Sequence, residues 1–377
     1  MKRRLGDYIR EYSVRNKTVE DIPVYSVTNT HGFCRDYFGK EVASKDKSTY
    51  KIVPKGYFAF NPSRINVGSV DWQRVEDRVV VSPLYNVFSV SSQLDQQYLY
   101  YYLKSGFALQ RIRTVSTGSV RDILKLNMLY EFPIDVPDLE KQKRIAHQLD
   151  TVKQVIASRA RELQSLDNLI KARFVEMFGD PETGTTFYPL KKLKELSVKI
   201  SDGVHAKPSY TESGRPFLSV VNINKKKIDF TDCKYVSEEA YQKMIKSTYP
   251  QKGDILYTKV GATYGIPAYV DTDIEFCLYV SVCLIKPRHE LINSRFLAMQ
   301  MDMPFVKHQA DKRIKGIGVP DLHLNQISDF DIVCPPKDEQ DAFVSFVAQV
   351  DKSKFVVQQA LEKAQLLFDG LMQKYFD

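Results

Sequence analysis

A regular apolar stripe begins with the stretch Ile145-Ala146-His147-Gln148-Leu149-Asp150-Thr151-Val152 and continues to Met177. Apolar residues recur in alternating steps of four and three, and only Arg159 and Arg173 interrupt the series. This spacing is typical of a helix that packs lengthwise against another helix. Because no Gly or Pro occurs between Asp138 and Phe178, the sequence predicts one helix of ~40 residues, roughly 60 Å long. Seven positions are predicted to form its packing stripe: Ile145, Leu149, Val152, Ile156, Leu163, Leu166 and Ile170.

The predicted partner of this helix lies in the same chain. The apolar stripe returns after a shift of 198 residues, with Lys354 as its charged interruption, and Pro137 and Gln142 find counterparts in Pro335 and Gln340. Two long amphipathic helices in one chain can bury their stripes against each other, so we predict an antiparallel coiled coil. Its second stripe is predicted at Phe343, Val347, Val350, Val357, Leu361, Phe368 and Leu371.

The globular regions that precede the two helices also repeat. Lys55-Gly56 matches Lys252-Gly253, and Gly118 matches Gly316. Strand-like and helix-like segments alternate in both regions, which predicts an α+β fold: two mixed α/β heads, each followed by a long helix, with pseudo-two-fold symmetry. The predicted domains are the first head (residues 1–136), a central helix (137–180), the second head (181–334) and a C-terminal helix (335–377).

The charge distribution favours a polyanionic partner. The net charge is +8, and it is concentrated in the globular regions, with +7 in residues 1–131 and +4 in residues 181–329. A basic excess in a domain suits nucleic acid, although a modest excess alone is a weak signal. The longest mainly apolar run covers residues 278–285, with Ser281 as a polar interruption, which fits a buried strand and is too short for a membrane span. No apolar segment follows the basic N-terminus, so we expect a cytoplasmic protein.

An approximate two-fold repeat has a natural counterpart in DNA. Duplex DNA has local two-fold symmetry, and two related heads suit two half-sites separated by about one helical turn, ~10 bp. The paired helices would then set the spacing between the half-sites. A scaffold or adaptor that joins two protein-binding heads through a coiled coil is the alternative reading of the same layout.

The chain resembles the specificity (S) subunits of type I restriction–modification enzymes over essentially its whole length. The repeated head–helix layout carries most of the resemblance, and the segments 55–64, 252–263 and 167–174 are similar to local motifs of the family. The entry to the second helix, Pro335-Pro336-Lys337-Asp338-Glu339-Gln340, follows the family's Pro-Pro-x-x-Glu-Gln-x-x-Ile pattern, with Phe343 replacing Ile. The first helix departs further, since it has a single Pro137 and Lys141 in place of Glu.

The resemblance implies a subunit that recognises DNA without catalysing a reaction. Two target-recognition domains would each bind one half of a bipartite double-stranded site, and the helices would dock two methyltransferase (M) subunits and restriction (R) subunits. S-adenosylmethionine, ATP and Mg would belong to those partner subunits, with no cofactor on this chain. We expect no membrane partner.

The sequence itself gives little sign of catalytic chemistry. It contains neither a Walker A motif nor G-x-G-x-x-G, and Asn61-Pro62-Ser63-Arg64 lacks the second Pro and the aromatic residue of an amino-methyltransferase turn. The acidic residues near Lys141 lie at a predicted helix start, where caps are expected. We therefore expect neither a catalytic nor a metal site, and a nuclease is the least favoured alternative.

Candidate DNA contacts are cations and hydrogen-bonding side chains in predicted loops of both heads. Lys and Arg suit phosphates, whereas Arg, Lys, Asn, Ser and Thr can also bind base edges. For any one of them, a solvated surface side chain is an equally good interpretation, and for the run of three lysines it is the better one. The first head offers Asn61, Arg64, Asn66, Arg111, Arg113, Thr117, Ser119 and Arg121. The second head offers Lys225, Lys226, Lys227, Lys259, Thr263, Tyr264, Lys312, Arg313 and Lys315.

Overall fold

The chain folds into two compact units. The computed structural model describes residues 3–35, 47–116, 123–224, 226–314 and 318–377. The first unit combines Met1–Glu162 with Val357–Asp377, and the second comprises Leu163–Val356. Each unit therefore contains one head and one half of each long helix. The four-part domain division of the sequence stays a prediction.

The first head begins and ends with short strands and carries three short helices before its long helix. Its strands are β1 (Arg3–Arg4), β2 (Ile9–Glu11), β3 (Ser26–Thr28), β4 (Gly32–Cys34), β5 (Lys51–Pro54), β6 (Phe58–Phe60), β7 (Val70–Trp72), β8 (Arg78–Val81), β9 (Asn86–Val90) and β10 (Pro133–Ile134). The helices are α1 (Gln96–Leu103), α2 (Gly106–Val115), α3 (Leu126–Tyr130) and α4 (Leu139–Phe178).

The second head follows the same order with additional strands and one additional helix. Its strands are β11 (Gly179–Asp180), β12 (Thr185–Thr186), β13 (Leu190–Lys192), β14 (Ser197–Asp202), β15 (Arg215–Leu218), β16 (Ile223–Asn224), β17 (Lys227–Ile228), β18 (Lys234–Val236), β19 (Ile255–Thr258), β20 (Pro267–Tyr269), β21 (Cys277–Leu278), β22 (Val282–Pro287) and β23 (Asp331–Val333). The helices are α5 (Glu238–Met244), α6 (Ser294–Met301), α7 (Pro304–Arg313), α8 (Leu324–Ser328) and α9 (Lys337–Phe376).

Both heads are built around the same four-stranded antiparallel sheet. The strand order is β2-β9-β6-β7 in the first head and β14-β22-β19-β20 in the second. The register corresponds as well, since Phe58 pairs with Phe88 and Ile255 pairs with Ile285. In both heads the last strand forms a separate pair with a strand near the start of the head, β10 with β1 and β23 with β13. The repeated α+β architecture predicted from the sequence is confirmed.

Apolar side chains join each sheet to its helices. The first core contains Phe58, Phe88 and Phe132 together with Phe376 from the end of α9. The second core contains Ile255, Ile285, Phe296, Phe330 and Phe343. Each head is thus continuous with the packing of the helix halves in its own unit. The first core also contains four buried tyrosines of α1: Tyr98, Tyr100, Tyr101 and Tyr102.

All fourteen positions of the two predicted helical stripes are buried or half-buried. In the first unit, the Tyr375 hydroxyl lies 2.8 Å from Gln148 Oε1. In the second unit, Lys354 Nζ lies 2.7 Å from Asp167 Oδ1, and the Phe343 ring lies 5.6 Å from that of Phe174. The start of one helix thus contacts the end of the other, which is antiparallel pairing.

The ends of α4 have clear local causes. At its start, the Asp138 side chain accepts a hydrogen bond from the Lys141 amide at 2.8 Å, which satisfies one of the free amides of the first turn. At its end, Gly179 has φ +82°, and a Cβ there would lie 2.0 Å from the Thr185 carbonyl oxygen. Only glycine fits both the left-handed backbone and this close approach, so the helix ends at Phe178.

In each copy, one buried glutamine fastens the head to the long helix that follows it. Gln142 accepts a hydrogen bond from the Asp95 amide at 2.8 Å and donates to the carbonyls of Gln93 and Pro137 at 3.0 and 2.7 Å. Gln340 makes the equivalent bonds to Asn293, Leu291 and Pro335 at 2.7, 3.0 and 2.7 Å. Both side chains are fully buried. These two arrangements are called the glutamine clamps.

Candidate nucleic-acid interface

In the first head, three segments distant in sequence meet beside the β6–β7 connection. The Asn61 carboxamide oxygen accepts a hydrogen bond from the Ser63 amide at 3.0 Å, and Gly68, at φ +86°, ends the following helical turn. Arg113 at the end of α2 donates to the Asn66 carbonyl at 3.4 Å. The Leu124 amide donates to the Pro62 carbonyl at 3.1 Å. The fold therefore brings together sequence-predicted residues that are about fifty positions apart.

The predicted residues of this head differ in availability. Arg64 and Arg113 are exposed, and Asn66 is half-exposed. Arg111 is half-buried with its guanidinium 5.4 Å from the centre of the Phe132 ring, so it packs against the core. Thr117, Ser119 and Arg121 lie outside the described residues.

In the second head, the β19–β20 connection lies beside α7, as the β6–β7 connection lies beside α2 in the first. The Tyr264 hydroxyl donates to Asp311 at 2.5 Å, and Lys307 Nζ lies 3.2 Å from the centre of the Tyr264 ring. The Gly261 amide donates to the Pro320 carbonyl at 2.9 Å. Thr263 is exposed and lies beside Tyr264. As in the first head, a β-connection, the end of a helix and the chain returning toward the long helix converge.

Other predicted residues of the second head are spread over different environments. Lys312 and Lys227 are exposed, whereas Arg313 packs 5.2 Å from the Phe330 ring and donates to the Asp329 carbonyl at 3.1 Å. Lys226 pairs with Asp302 at 2.5 Å. Lys225 and Lys315 lie outside the described residues. The lysine run therefore does not join Thr263 and Tyr264 in the described contacts.

Lys259 is not a surface cation. Its side chain is 6% exposed and lies between Asp202 and Asp321, at 3.6 and 3.5 Å. An ammonium group in this position already faces two carboxylates, so it is unavailable to a phosphate in this conformation.

The sequence interpretation missed Lys307 and Asp311, which contact Tyr264. They pair with each other at 2.9 Å with the i,i+4 spacing of neighbours on a helix face, and this spacing was the signal available in the sequence. Burial raises the pKa of Asp311, but hydrogen bonds from Tyr264 and Lys307 outweigh that effect and leave the pKa below its usual value. The carboxylate is therefore charged at neutral pH and holds the tyrosine in place.

The described part of the chain supplies recognition chemistry in these two places. Exposed Arg and Lys side chains stand beside amide and hydroxyl groups, the combination that suits phosphates and base edges. Within the described ranges, His, Cys, Asp and Glu form no group of three that could hold a metal ion. Among the same residues, no helix has the length and apolar character needed to cross a membrane.

Two matching head-and-helix units define an internally duplicated α+β protein. The family described as the type I restriction modification DNA specificity domain matches residues 7–168 and 191–365, one match for each copy. The chain belongs to this family.

Similar curated proteins carry the same designation. The MjaVIII specificity subunit of Methanocaldococcus jannaschii is 25% identical over 279 residues, covering 68% of this chain and 64% of that protein. The EcoBI specificity subunit of Escherichia coli is 21% identical over 375 residues, covering 89% of this chain and 78% of that protein. The chain thus spans just under two thirds of the MjaVIII subunit and most of the EcoBI subunit.

Solved structures share the fold. A chain from work on complex assembly and conformational transition of the type I R-M system superposes with a TM-score of 0.61 at 18% identity, covering 100% of this chain and 97% of that chain. The type I S subunit of M. genitalium gives 0.57 at 15% identity, covering 100% and 96%. At these identities the likeness concerns the fold.

Proposed function

We propose that this chain is the non-catalytic DNA-specificity subunit of a type I restriction–modification system. Each head binds one half of a bipartite double-stranded site, at the convergence of its β-connection, the returning chain and one helix, which is α2 in the first head and α7 in the second. The same framework with different side chains at this place, such as Arg64 and Asn66 in one head and Thr263 and Tyr264 in the other, is the observation that carries the proposal. Two scaffolds of one design with different surfaces suit two different half-sites.

The residues proposed to contact DNA are those that the fold leaves accessible at these two places. They are Arg64, Asn66 and Arg113 in the first unit, and Thr263, Tyr264 and Lys312 in the second. Exposed cations would bind phosphates, and the amide, hydroxyl and phenol groups would bind base edges. Arg111, Arg313 and Lys259 are left out because each is engaged with the core or with carboxylates.

The long helices are proposed to dock two methyltransferase subunits and, through them, restriction subunits. Phe355, Val356, Leu366 and Leu367 of α9 are between 54% and 72% exposed. Each pair consists of consecutive residues of α9, Phe355 with Val356 in the second unit and Leu366 with Leu367 in the first. Neighbouring exposed large apolar residues are typical of a protein-binding surface, so each pair supports a protein partner on its part of α9.

Cofactor chemistry is proposed to belong to the partners. S-adenosylmethionine would serve the methyltransferase subunits, and ATP and Mg the restriction subunits. This chain would act in the cytoplasm, where the DNA is. The spacing between half-sites set by the helices stays a prediction from the sequence.

A binding experiment on the assembled complex tests the proposed function. Methylome sequencing with and without the gene gives the modified site, and the chain is then purified with its methyltransferase subunits. We expect tight binding to a duplex with this site and a steep loss of affinity with salt, since each phosphate contact contributes about 0.9 to the logarithmic salt slope. Arg64→Met and Arg113→Met should each lower that slope, whereas Lys143→Met on α4 should not. A complex that retains no DNA at low salt would favour the scaffold alternative.

A further inference from the structure

The second unit has a buried charge cluster that the accessible surface does not use. Lys259 follows β19, Asp202 ends β14, and Asp321 lies in the segment that returns toward α8. The Lys259 side chain is 6% exposed, Asp202 17% and Asp321 47%. Burying an ammonium group is costly unless carboxylates compensate it, so the two aspartates and the lysine depend on one another.

This cluster joins the segments that form the proposed DNA-binding surface. The Leu322 amide donates to the Lys259 carbonyl at 2.9 Å, and the Gly261 amide donates to the Pro320 carbonyl at 2.9 Å. Val260 and Asp321 form an isolated antiparallel bridge. The salt bridges from Lys259 therefore reinforce backbone pairing between the β19–β20 connection and residues 318–322.

The first unit reaches the same layout without a buried cation. Pro62 occupies the position equivalent to Lys259, at the shift of 197 residues that relates this part of the two copies, and it carries no charge. The Leu124 amide donates to the Pro62 carbonyl at 3.1 Å, as the Leu322 amide donates to that of Lys259, and the preceding Asn61 side chain accepts a hydrogen bond from the Ser63 amide. The ionic link is thus an additional device of the second unit.

We propose that Lys259 is a positioning residue for the DNA-binding surface of the second unit. Its ammonium group, held between Asp202 and Asp321, fixes residues 318–322 against the connection that carries Thr263 and Tyr264, and it does not contact a phosphate. The inference rests on the proposed function and assigns a definite role within it.

Salt dependence separates positioning from direct contact. In the complex with methyltransferase subunits, Lys259→Met should lower the preference for the cognate duplex over one scrambled in the half-site bound by the second unit at least tenfold. Because no phosphate contact is lost, its salt slope should stay as in the unmodified complex. Lys312→Met, an exposed cation of the same unit, is the matched variant and should lower the slope by about 0.9. A similar drop for Lys259→Met would overturn the proposal.

Asp321→Asn gives a second, independent reading if Lys259→Met folds poorly. Removing a negative charge near DNA should by itself strengthen binding, as repulsion of phosphates decreases. The positioning role instead requires weaker discrimination at the second half-site and unchanged discrimination at the first. Stronger binding with full discrimination would contradict it.

Hydrogen exchange measured on the chain without DNA distinguishes failure of the positioning role from failure of the proposed function. Both variants should accelerate exchange of the Gly261 and Leu322 amides while leaving the Leu124 amide of the first unit unchanged. Unchanged exchange at Gly261 and Leu322 would refute the positioning role even if DNA binds. If the unmodified complex shows no site preference, the proposed function fails. Hydrogen exchange alone then tests whether Lys259 holds residues 318–322 against the β19–β20 connection.

Discussion

Tyr100 in the first unit and Ala298 in the second occupy equivalent positions in surroundings of opposite character. The Tyr100 ring is buried under three cations, with Lys104 at 4.8 Å, Lys153 at 5.2 Å and Arg74 at 5.8 Å from its centre. Ala298 instead lines a hollow of about 570 Å³. The same framework therefore supports a filled site in one unit and an open one in the other.

The charges around the two positions are reversed. Arg74, Lys104 and Lys153 correspond, at shifts of 197 or 198 residues, to Asp271, Asp302 and Asp351. Cations that arrive from other positions pair with these aspartates: Arg295 with Asp271 at 3.0 Å, Lys226 with Asp302 at 2.5 Å and Lys354 with Asp351 at 3.8 Å. At a partly solvated site, a cation in one copy can correspond to an anion in the other when the neighbouring charges are reversed as well. The two copies have therefore diverged at this site.

The glutamine clamps show the opposite behaviour. Gln142 and Gln340 are fully buried and make the same three hydrogen bonds within 0.1 Å of one another. A buried polar group must keep all its partners, because an unmade bond in the interior costs about 1–3 kcal/mol. The buried hydrogen bonds of the clamps are thus duplicated, whereas the charges around Tyr100 and Ala298 differ between the copies.

The largest expected change in the free energy of unfolding comes from the loss of a glutamine clamp. Gln142→Leu and Gln340→Leu each leave one buried amide and two carbonyls without their bonds, so each should lower the free energy of unfolding by roughly 3 kcal/mol or more. Denaturant titration measures the change, with exposed Gln154→Leu and Gln349→Leu as controls. A change below about 1 kcal/mol in either clamp would break the equivalence.

A smaller effect is expected at the diverged site. Tyr100→Ala removes a buried ring and its cation–π contacts and should lower the free energy of unfolding by about 2–3 kcal/mol. Ala298→Tyr enters an open hollow and should change it by less than about 1 kcal/mol. Thermal or denaturant unfolding of both variants provides the check. Equal destabilisation would show that the hollow is not free to accept a side chain.

The exposed faces of the two long helices should differ as partner surfaces. Leu366 of α9 corresponds to Asn168 of α4, and Phe355 corresponds to Ala157. Leu366→Asn should weaken one of two methyltransferase binding steps about tenfold, the equivalent of ~1.4 kcal/mol for a partly buried leucine. Calorimetric titration measures this, and the free energy of unfolding should stay within about 0.5 kcal/mol. Two unaffected steps would place the partner elsewhere.

The smallest effect is expected at the charged interruption of the second stripe. Lys354 corresponds to Ile156 and forms a half-exposed pair with Asp167. Lys354→Ile exchanges a solvent-screened pair for an apolar contact and should raise the free energy of unfolding by about 0.5 kcal/mol. The gain should increase with salt, because salt weakens only the original pair. A loss above about 1 kcal/mol would show that the ion pair determines the register.

The candidate site was predictable only in part. The stretches that carry Asn61, Arg64 and Asn66 and those with Arg113 were found as polar residues near turn glycines, and the fold places them together. Arg111 and Arg313 were indistinguishable from Arg113 in sequence, yet they pack over Phe132 and Phe330. A guanidinium has an apolar face as well as a charge, and only neighbours distant in sequence decide which one it uses.

The amino-acid sequence by itself determined the duplication, the two long helices and their stripes, and the break at Gly179. These features depend on local periodicity and on backbone limits, which act between residues a few positions apart. Only the tertiary structure decided that Lys259 is buried between Asp202 and Asp321, and that the site around Tyr100 is filled while its counterpart at Ala298 is open. Burial and charge pairing there join residues tens to hundreds of positions apart, and no local pattern records which of them meet.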